Sequence, residues 1–276
     1  MTLDTLNVCV ELLTVFRLIT ISILVLRLLL LLTIVSTCEV GCLTELAKLR
    51  NNFYMQCIDS TVEFVTDIEQ LDPRVIVDAG RTCYKSNKSD YTDTEVDSFI
   101  RKLINSGHES PLEHLSFTVR FITDRGISHE LVRHRLAAFS QESTRYANYS
   151  KDKFGNQITC IMPRQLWDDA STLAENVETV TKAYKEAERA YMELLERGVK
   201  PQIARSVLPN GLKTELVMTC NIREWRHILK LRCDEAAHPE IRYLCKQIYD
   251  ELEKYHPYFV CDMDFDKVVG NNHVRI

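Results

Sequence analysis

Thr92-Asp93-Thr94-Glu95-Val96-Asp97-Ser98-Phe99-Ile100-Arg101-Lys102-Leu103-Ile104-Asn105-Ser106-Gly107 reads as one amphipathic helix. Thr92 through Glu95 is a capping box, Val96, Phe99, Ile100, Leu103 and Ile104 share a stripe at helical spacing, and Gly107 stops the run. Soon after it, Phe117-Thr118-Val119-Arg120-Phe121 switches to a period of two and ends at Asp124-Arg125-Gly126, a half-buried strand closed by a turn. Ser128 is then expected to cap a short helix through Arg135, and residues 137–156, which keep neither period, read as a long ordered or functional loop. Further out, a strand is predicted at 157–163 and the longest helix from about Ser171 to Arg197, on the stripe Leu173, Val177, Val180, Tyr184, Ala187, Tyr191 and Leu194. Pro201 opens a short helix that Pro209 ends. A strand at 214–220 leads to Asn221, which caps a helix through about Cys233, and Pro239 starts the last helix. Strands too few and too unevenly spaced for repeated βαβ units place the chain in the α+β class, with a mixed, largely antiparallel sheet and flanking helices, one of them long.

The 276 residues carry 34 Lys+Arg against 39 Asp+Glu, a net charge of −5. A mildly acidic chain of this length favours one large domain and excludes a general polyanion binder, so an anion site must be local. The 10 cysteines show no C-x-x-C pairing and read as reduced, mostly buried thiols of a cytoplasmic protein. The first fifty residues differ from the rest. Leu18 to Val35 is nearly all Leu, Ile and Val around Arg27, without the basic and small-residue flanks of a signal peptide. A central Arg costs roughly 2.5–3.5 kcal/mol on insertion. Membrane contact by residues 18–35 is therefore the disfavoured reading beside a buried or self-associating helix. The favoured one makes residues 1–54 an extension outside a catalytic domain at 55–276, with Met55 as its natural start.

The densest chemistry lies in His129-Glu130-Leu131-Val132-Arg133-His134-Arg135. His129 and His134, five apart, diverge on a helix and cannot chelate one zinc as an H-E-x-x-H pair does, so no metal is expected. A basic helix end is usually just solvated. Here, however, Gln141, Glu142, Ser143, Thr144, Arg145 and Tyr146 follow, supplying hydroxyls, a guanidinium and an aromatic face suited to a phosphate and a flat ring. Arg232 ends the apolar stripe of Trp225, Ile228 and Leu229, where snorkelling or a salt bridge to Asp234 or Glu235 is the plain alternative to a functional role. Arg205 enlarges the guanidinium supply, and Gly107-His108-Glu109-Ser110-Pro111-Leu112-Glu113-His114 is a third polar cluster. A nucleic-acid module stacking bases on Tyr146 and Tyr149 would be the rival reading; acidic charge and the lack of a basic stripe argue against it.

Arg133-His134-Arg135, seven residues, then Ser143, resembles the R-H-R-x7-S motif of the flavin-dependent thymidylate synthases. Gly107 to His114 resembles that family's G-H-x-[ST]-x-x-E-H element, and Arg205 to Pro209, Asn221 and Arg232 follow in the family's order over roughly residues 55–260. The resemblance implies a homotetramer with shared active sites that methylates deoxyuridylate (dUMP) to thymidylate (dTMP). The carbon donor would be the folate 5,10-methylenetetrahydrofolate, and NADPH would be the reductant through FAD. It implies that Ser110, Arg133, His134, Arg135, Gln141, Asn221, Ile222, Arg223 and His227 meet FAD. Glu130, Leu131, Val132, Arg133, Gln141, Glu142, Ser143, Thr144, Arg145 and Arg205 would meet dUMP, and Arg232 would activate the pyrimidine. Uracil C5 is a poor nucleophile, so it needs either a thiolate at C6 or a cation for the charge at N3 and O4. No cysteine has a nucleophile's context; Cys83, the nearest candidate, reads better as a small buried residue.

Overall fold

The computed structural model describes residues 55–167 and 172–265. The apolar segment 18–35 and the expected helix start at Ser171 lie outside the described residues. Strand β1 (Gln56–Ile58) is followed by β2 (Thr61–Phe64), helix α1 (Arg74–Thr82) and helix α2 (Asp93–Asn105). Strand β3 (Ser116–Asp124), helix α3 (Arg125–Leu131), strand β4 (Ala138–Gln141) and strand β5 (Thr159–Ile161) come next. Helices α4 (Leu173–Glu196) and α5 (Pro201–Ala204) precede strand β6 (Lys213–Asn221), helix α6 (Ile222–Arg232) and helix α7 (Pro239–Tyr255). The main sheet runs β2-β3-β6-β4 with every neighbour antiparallel, while β1 and β5 form a separate parallel pair.

Alternation explains the centre of this sheet. Phe117, Val119 and Phe121 on β3 and Leu216, Met218 and Cys220 on β6 turn to one buried face, against which α6 lays Trp225, its indole stacked on Phe117 at 4.7 Å. The capping box at the start of α2 forms as the sequence predicts, with Thr92 and Glu95 exchanging side-chain-to-backbone bonds, and Gly107 takes φ +70°, which a side chain would resist. A second apolar cluster gathers Met55, Tyr149, Ile158, Cys160, Tyr184, Tyr191 and Leu212, packing α4 over the β1–β5 pair.

Three local expectations are corrected. The cap of α3 is Asp124, whose Oδ1 accepts the Ile127 amide at 2.7 Å; Ser128 lies inside the helix and donates to the Arg125 carbonyl. Asp124 leaves the strand still extended and so meets the first free amides before Ser128 can. The helix therefore stops at Leu131, and Arg133-His134-Arg135 occupies the turn beyond it. The expected loop 137–156 contains β4, paired with β6 from Ala138 opposite Thr219 to Gln141 opposite Leu216. Neither face of β4 is fully buried, so its residues carry no period-two apolar signal. Cys83 is exposed rather than buried, because it falls on the solvent-facing C-cap of α1.

Candidate active site

The turn after α3 brings its side chains to the C-terminal end of α6. Arg232 donates from Nε to His134 Nε2 at 3.0 Å, from Nη1 to Glu130 Oε2 at 2.7 Å and from Nη2 to the Glu130 carbonyl at 3.1 Å. Its partner is thus Glu130, far away in sequence, and not the neighbouring Asp234 or Glu235 that the sequence suggested. The guanidinium keeps 20% of its side-chain surface exposed, enough to meet a ligand. Leu131 is buried beneath this turn and Val132 half-buried, while Arg133 and Arg135 on either side of His134 are exposed.

His134 itself is 6% exposed. Burial, then the charge of Arg232, then His227 push its pKa from the ordinary imidazole range down to about 4, so it is neutral at physiological pH. A guanidinium can only donate, so His134 Nε2 accepts and the ring proton sits on Nδ1. Nδ1 lies 3.8 Å from the buried carboxylate of Glu224, and the His227 ring meets the His134 ring edge-on. His134, Glu224 and His227 set ligand atoms within 4.8 Å of one another, but with Nδ1 protonated His134 offers no lone pair to a cation there.

Next to this network a cleft of about 560 Å³ opens, lined by Asn221, Arg223, Glu224, His227 and Lys230 of β6 and α6 and by Glu109 and Glu113. Asn221 caps α6 by accepting the Glu224 amide, Ile222 is buried with its amide on the Leu115 carbonyl, and Arg223 pairs with Glu113 and Glu109. Ser110 is exposed at the start of the 3-10 turn Ser110–His114, and Pro111 and Leu112 bury that turn's base. Beneath the loop, Arg226 is almost wholly buried and binds Glu109, Asp262 and the Phe259 carbonyl.

A second set lies along β4 and the segment after it. Gln141 donates to Ser128 Oγ at 2.8 Å and to Thr214 Oγ1 at 3.3 Å, and Glu142 accepts from Tyr149 and Lys213. Arg205 donates to Thr144 Oγ1 at 3.2 Å, Ser143 Oγ accepts the Arg145 amide, and Arg145 lies over the exposed ring of Tyr146. The two sets are not joined by a hydrogen bond among the described residues: Glu130, His134, Arg223, His227 and Arg232 gather at α6, while Ser143, Thr144, Arg145 and Arg205 gather elsewhere. Sequence reasoning missed Glu224 and Arg226. Each is a charged residue at a buried helix position, and that mismatch was the available signal.

The profile of the thymidylate synthase complementing protein family matches residues 65–258, which include both sets of side chains but not Phe259 and Asp262, partners of Arg226. The chain belongs to this family. Among relatives of the family, the flavin-dependent thymidylate synthase of Geobacter sulfurreducens is 36% identical over 184 residues, 64% of this chain and 76% of that protein. The flavin-dependent thymidylate synthase of Mycobacteroides abscessus is 34% identical over 233 residues, 78% of this chain and 88% of that one. The structure is similar to that of the UMP/dUMP methylase PolB from Streptomyces cacaoi bound with 5-Br dUMP, with TM-score 0.66, 26% identity, and coverage of 76% of this chain and 99% of that one. As a member of the flavin-dependent thymidylate synthase family the chain is an enzyme, and its family region contains both sets of side chains.

Proposed function

We propose that the chain methylates dUMP to dTMP, with FAD bound, 5,10-methylenetetrahydrofolate as carbon donor and NADPH as reductant. The observation that carries this reading is Arg232: a partly exposed guanidinium fixed by three hydrogen bonds beside a neutral histidine, in a chain similar to a methylase bound with a dUMP analogue. When C5 takes up the new carbon, negative charge builds at N3 and O4 of the pyrimidine. Three of the five guanidinium N–H groups are engaged, which leaves an N–H on each of Nη1 and Nη2 to meet that charge without reorganisation. Arg205, Thr144, Ser143 and Arg145 supply guanidinium and hydroxyl donors for the nucleotide phosphate, and Gln141 and Glu130 flank the nucleotide.

The cleft at α6 fits a flavin cofactor. Asn221, Arg223, His227 and Lys230 give it amide, guanidinium, imidazole and ammonium donors, and its volume is that of an ordinary ligand pocket. FAD, when bound, supplies the one-carbon and hydride chemistry that side chains cannot. In this reading Ser110, Arg133, His134, Arg135, Asn221, Ile222, Arg223 and His227 form its surroundings, with several supplied across subunits of a homotetramer. Among the described residues, the buried thiols support a route without a cysteine nucleophile. Burial pushes Cys57 up to about 11 and Cys245 up to about 12, and raises Cys160, Cys220 and Cys233 further still. Cys83 sits exposed at the C-cap of α1, away from the α6 network.

The deciding experiment incubates the protein with dUMP, 5,10-methylenetetrahydrofolate, NADPH and FAD. Thymidylate should form, and mass spectrometry should find no covalent adduct between a cysteine and the nucleotide. A trapped cysteine adduct would overturn the mechanism, and a flavin-loaded protein that makes no thymidylate would overturn the function.

A further inference from the structure

Glu224 is a carboxylate in the wrong place for a surface helix. It occupies the first turn of α6, its side chain is 8% exposed, and its Oε1 lies 3.8 Å from Nδ1 of buried His134. An acid so deeply buried requires compensation. Its backbone amide is already held by the Asn221 cap, which fixes the start of the helix and sets the direction in which the Glu224 side chain leaves it. On the far edge of the same imidazole, Nε2 accepts the Arg232 Nε–H at 3.0 Å. The three groups form a line from carboxylate through imidazole to guanidinium.

The line has a defined polarity. Arg232 has no lone pair to offer, so the imidazole must present its lone pair at Nε2 and its proton at Nδ1. The opposite tautomer would set Nε2–H against Nε–H and expel Arg232 from its place. A carboxylate facing Nδ1 attracts a proton there and stabilises the one tautomer that holds the guanidinium. At 3.8 Å the contact is longer than a hydrogen bond, yet the attraction between an N–H dipole and a buried charge acts over that distance.

We propose that Glu224 is a positioning residue for Arg232, acting through His134 by fixing its tautomer. The proposal rests on the role given to Arg232 in the proposed function. It assigns both ring nitrogens of His134 to the protein, so that only the ring's surface remains for a ligand.

Two measurements test it on the flavin-loaded protein. In the wild type, ¹⁵N NMR of labelled histidine should show His134 protonated on Nδ1; a proton on Nε2 would overturn the proposal. At saturating FAD, Glu224→Leu should lower kcat for thymidylate formation about tenfold or more, the scale for losing a group that orients another, while the KM for dUMP changes by less than about twofold. Glu224→Gln should recover most of that loss, because its carbonyl accepts from Nδ1–H. Full kcat in Glu224→Leu, or equal losses in both variants, would overturn it. The tautomer measurement needs no variant and can overturn the proposal even where Glu224→Leu does not fold. In that case Glu224→Gln carries the kinetic test: kcat retained with the proton still on Nδ1 is expected, and kcat lost about tenfold or more would overturn the proposal. A wild type that makes no thymidylate would sink the functional reading while the NMR result still reports on the tautomer.

Discussion

At the scale of single residues, Arg232 shows why a guanidinium and an ammonium are not interchangeable. Its planar fork reaches His134, the Glu130 carboxylate and the Glu130 carbonyl together, which one ammonium cannot do in the same geometry. Arg232→Lys should keep the fold and the flavin but lower turnover by about two orders of magnitude or more, read from steady-state kinetics. His134 gives a stability prediction with a definite sign. An unfolded chain binds its imidazole proton near about pH 6.5. Burial, with Arg232 and His227, holds the folded group down at about 4, and burial lowers His256 as well. The unfolded state therefore binds more protons across this window. Stability should be full above about pH 6.5 and fall as the pH drops toward 4. A series of melting temperatures over that range checks this, and His134→Gln should flatten the slope. The sequence made Arg232 legible as a misplaced guanidinium but pointed to the wrong partner. An acid next along the chain can be read from a helical wheel; one brought in from the end of another helix cannot.

At the scale of elements, legibility followed the strength of the local signal. The capping box of α2, the alternation of β3, the strand at β6 and the Asn221 cap of α6 were all readable, because each is decided by residues a few positions apart. β4 was hidden, since a strand buried on neither face has no apolar rhythm and is held by its backbone ladder to β6. The helix beginning at Ser128 was misplaced because two good caps, Asp124 and Ser128, stood four residues apart and the earlier one took the free amides. Packing between elements sets a further test at Gly211. A Cβ there would stand 1.8 Å from Tyr184 Oη on α4, whose hydroxyl donates to the Ile161 carbonyl of β5. Gly211→Ala should destabilise the protein by about 1–3 kcal/mol, the range for overpacking, measured by denaturant unfolding. The damage should centre on α4 and the β1–β5 pair, with the α6 network and the cleft beside it least affected.

At the scale of the whole molecule, the domain boundary can be tested at Met55, which is 1% exposed and packs in the second apolar cluster with Tyr149 and Tyr191. A chain beginning at Met55 should fold, bind FAD and form thymidylate as the full chain does, whereas one beginning at Ile58 should lose stability because it lacks that buried side chain and most of β1. Failure of the Met55 chain to bind FAD would place residues 1–54 within the catalytic unit. The assembly proposal has its own check: mixing Arg133→Ala with Ser110→Ala protein under subunit exchange should restore some flavin binding, and none despite confirmed exchange would favour a self-contained site. The pairing of β3 with β6 carries a consequence for how the molecule comes into being. Asp124 is matched with Lys213 and Ser116 with Asn221, positions roughly 90 to 105 residues apart, so the central ladder closes a long loop before any of its contacts are gained. Folding should accordingly be slow for a protein of this size. On the ribosome, β3 must wait with its apolar face uncovered until β6 and α6 have emerged, which makes this interval the nascent chain's period of greatest need for a chaperone.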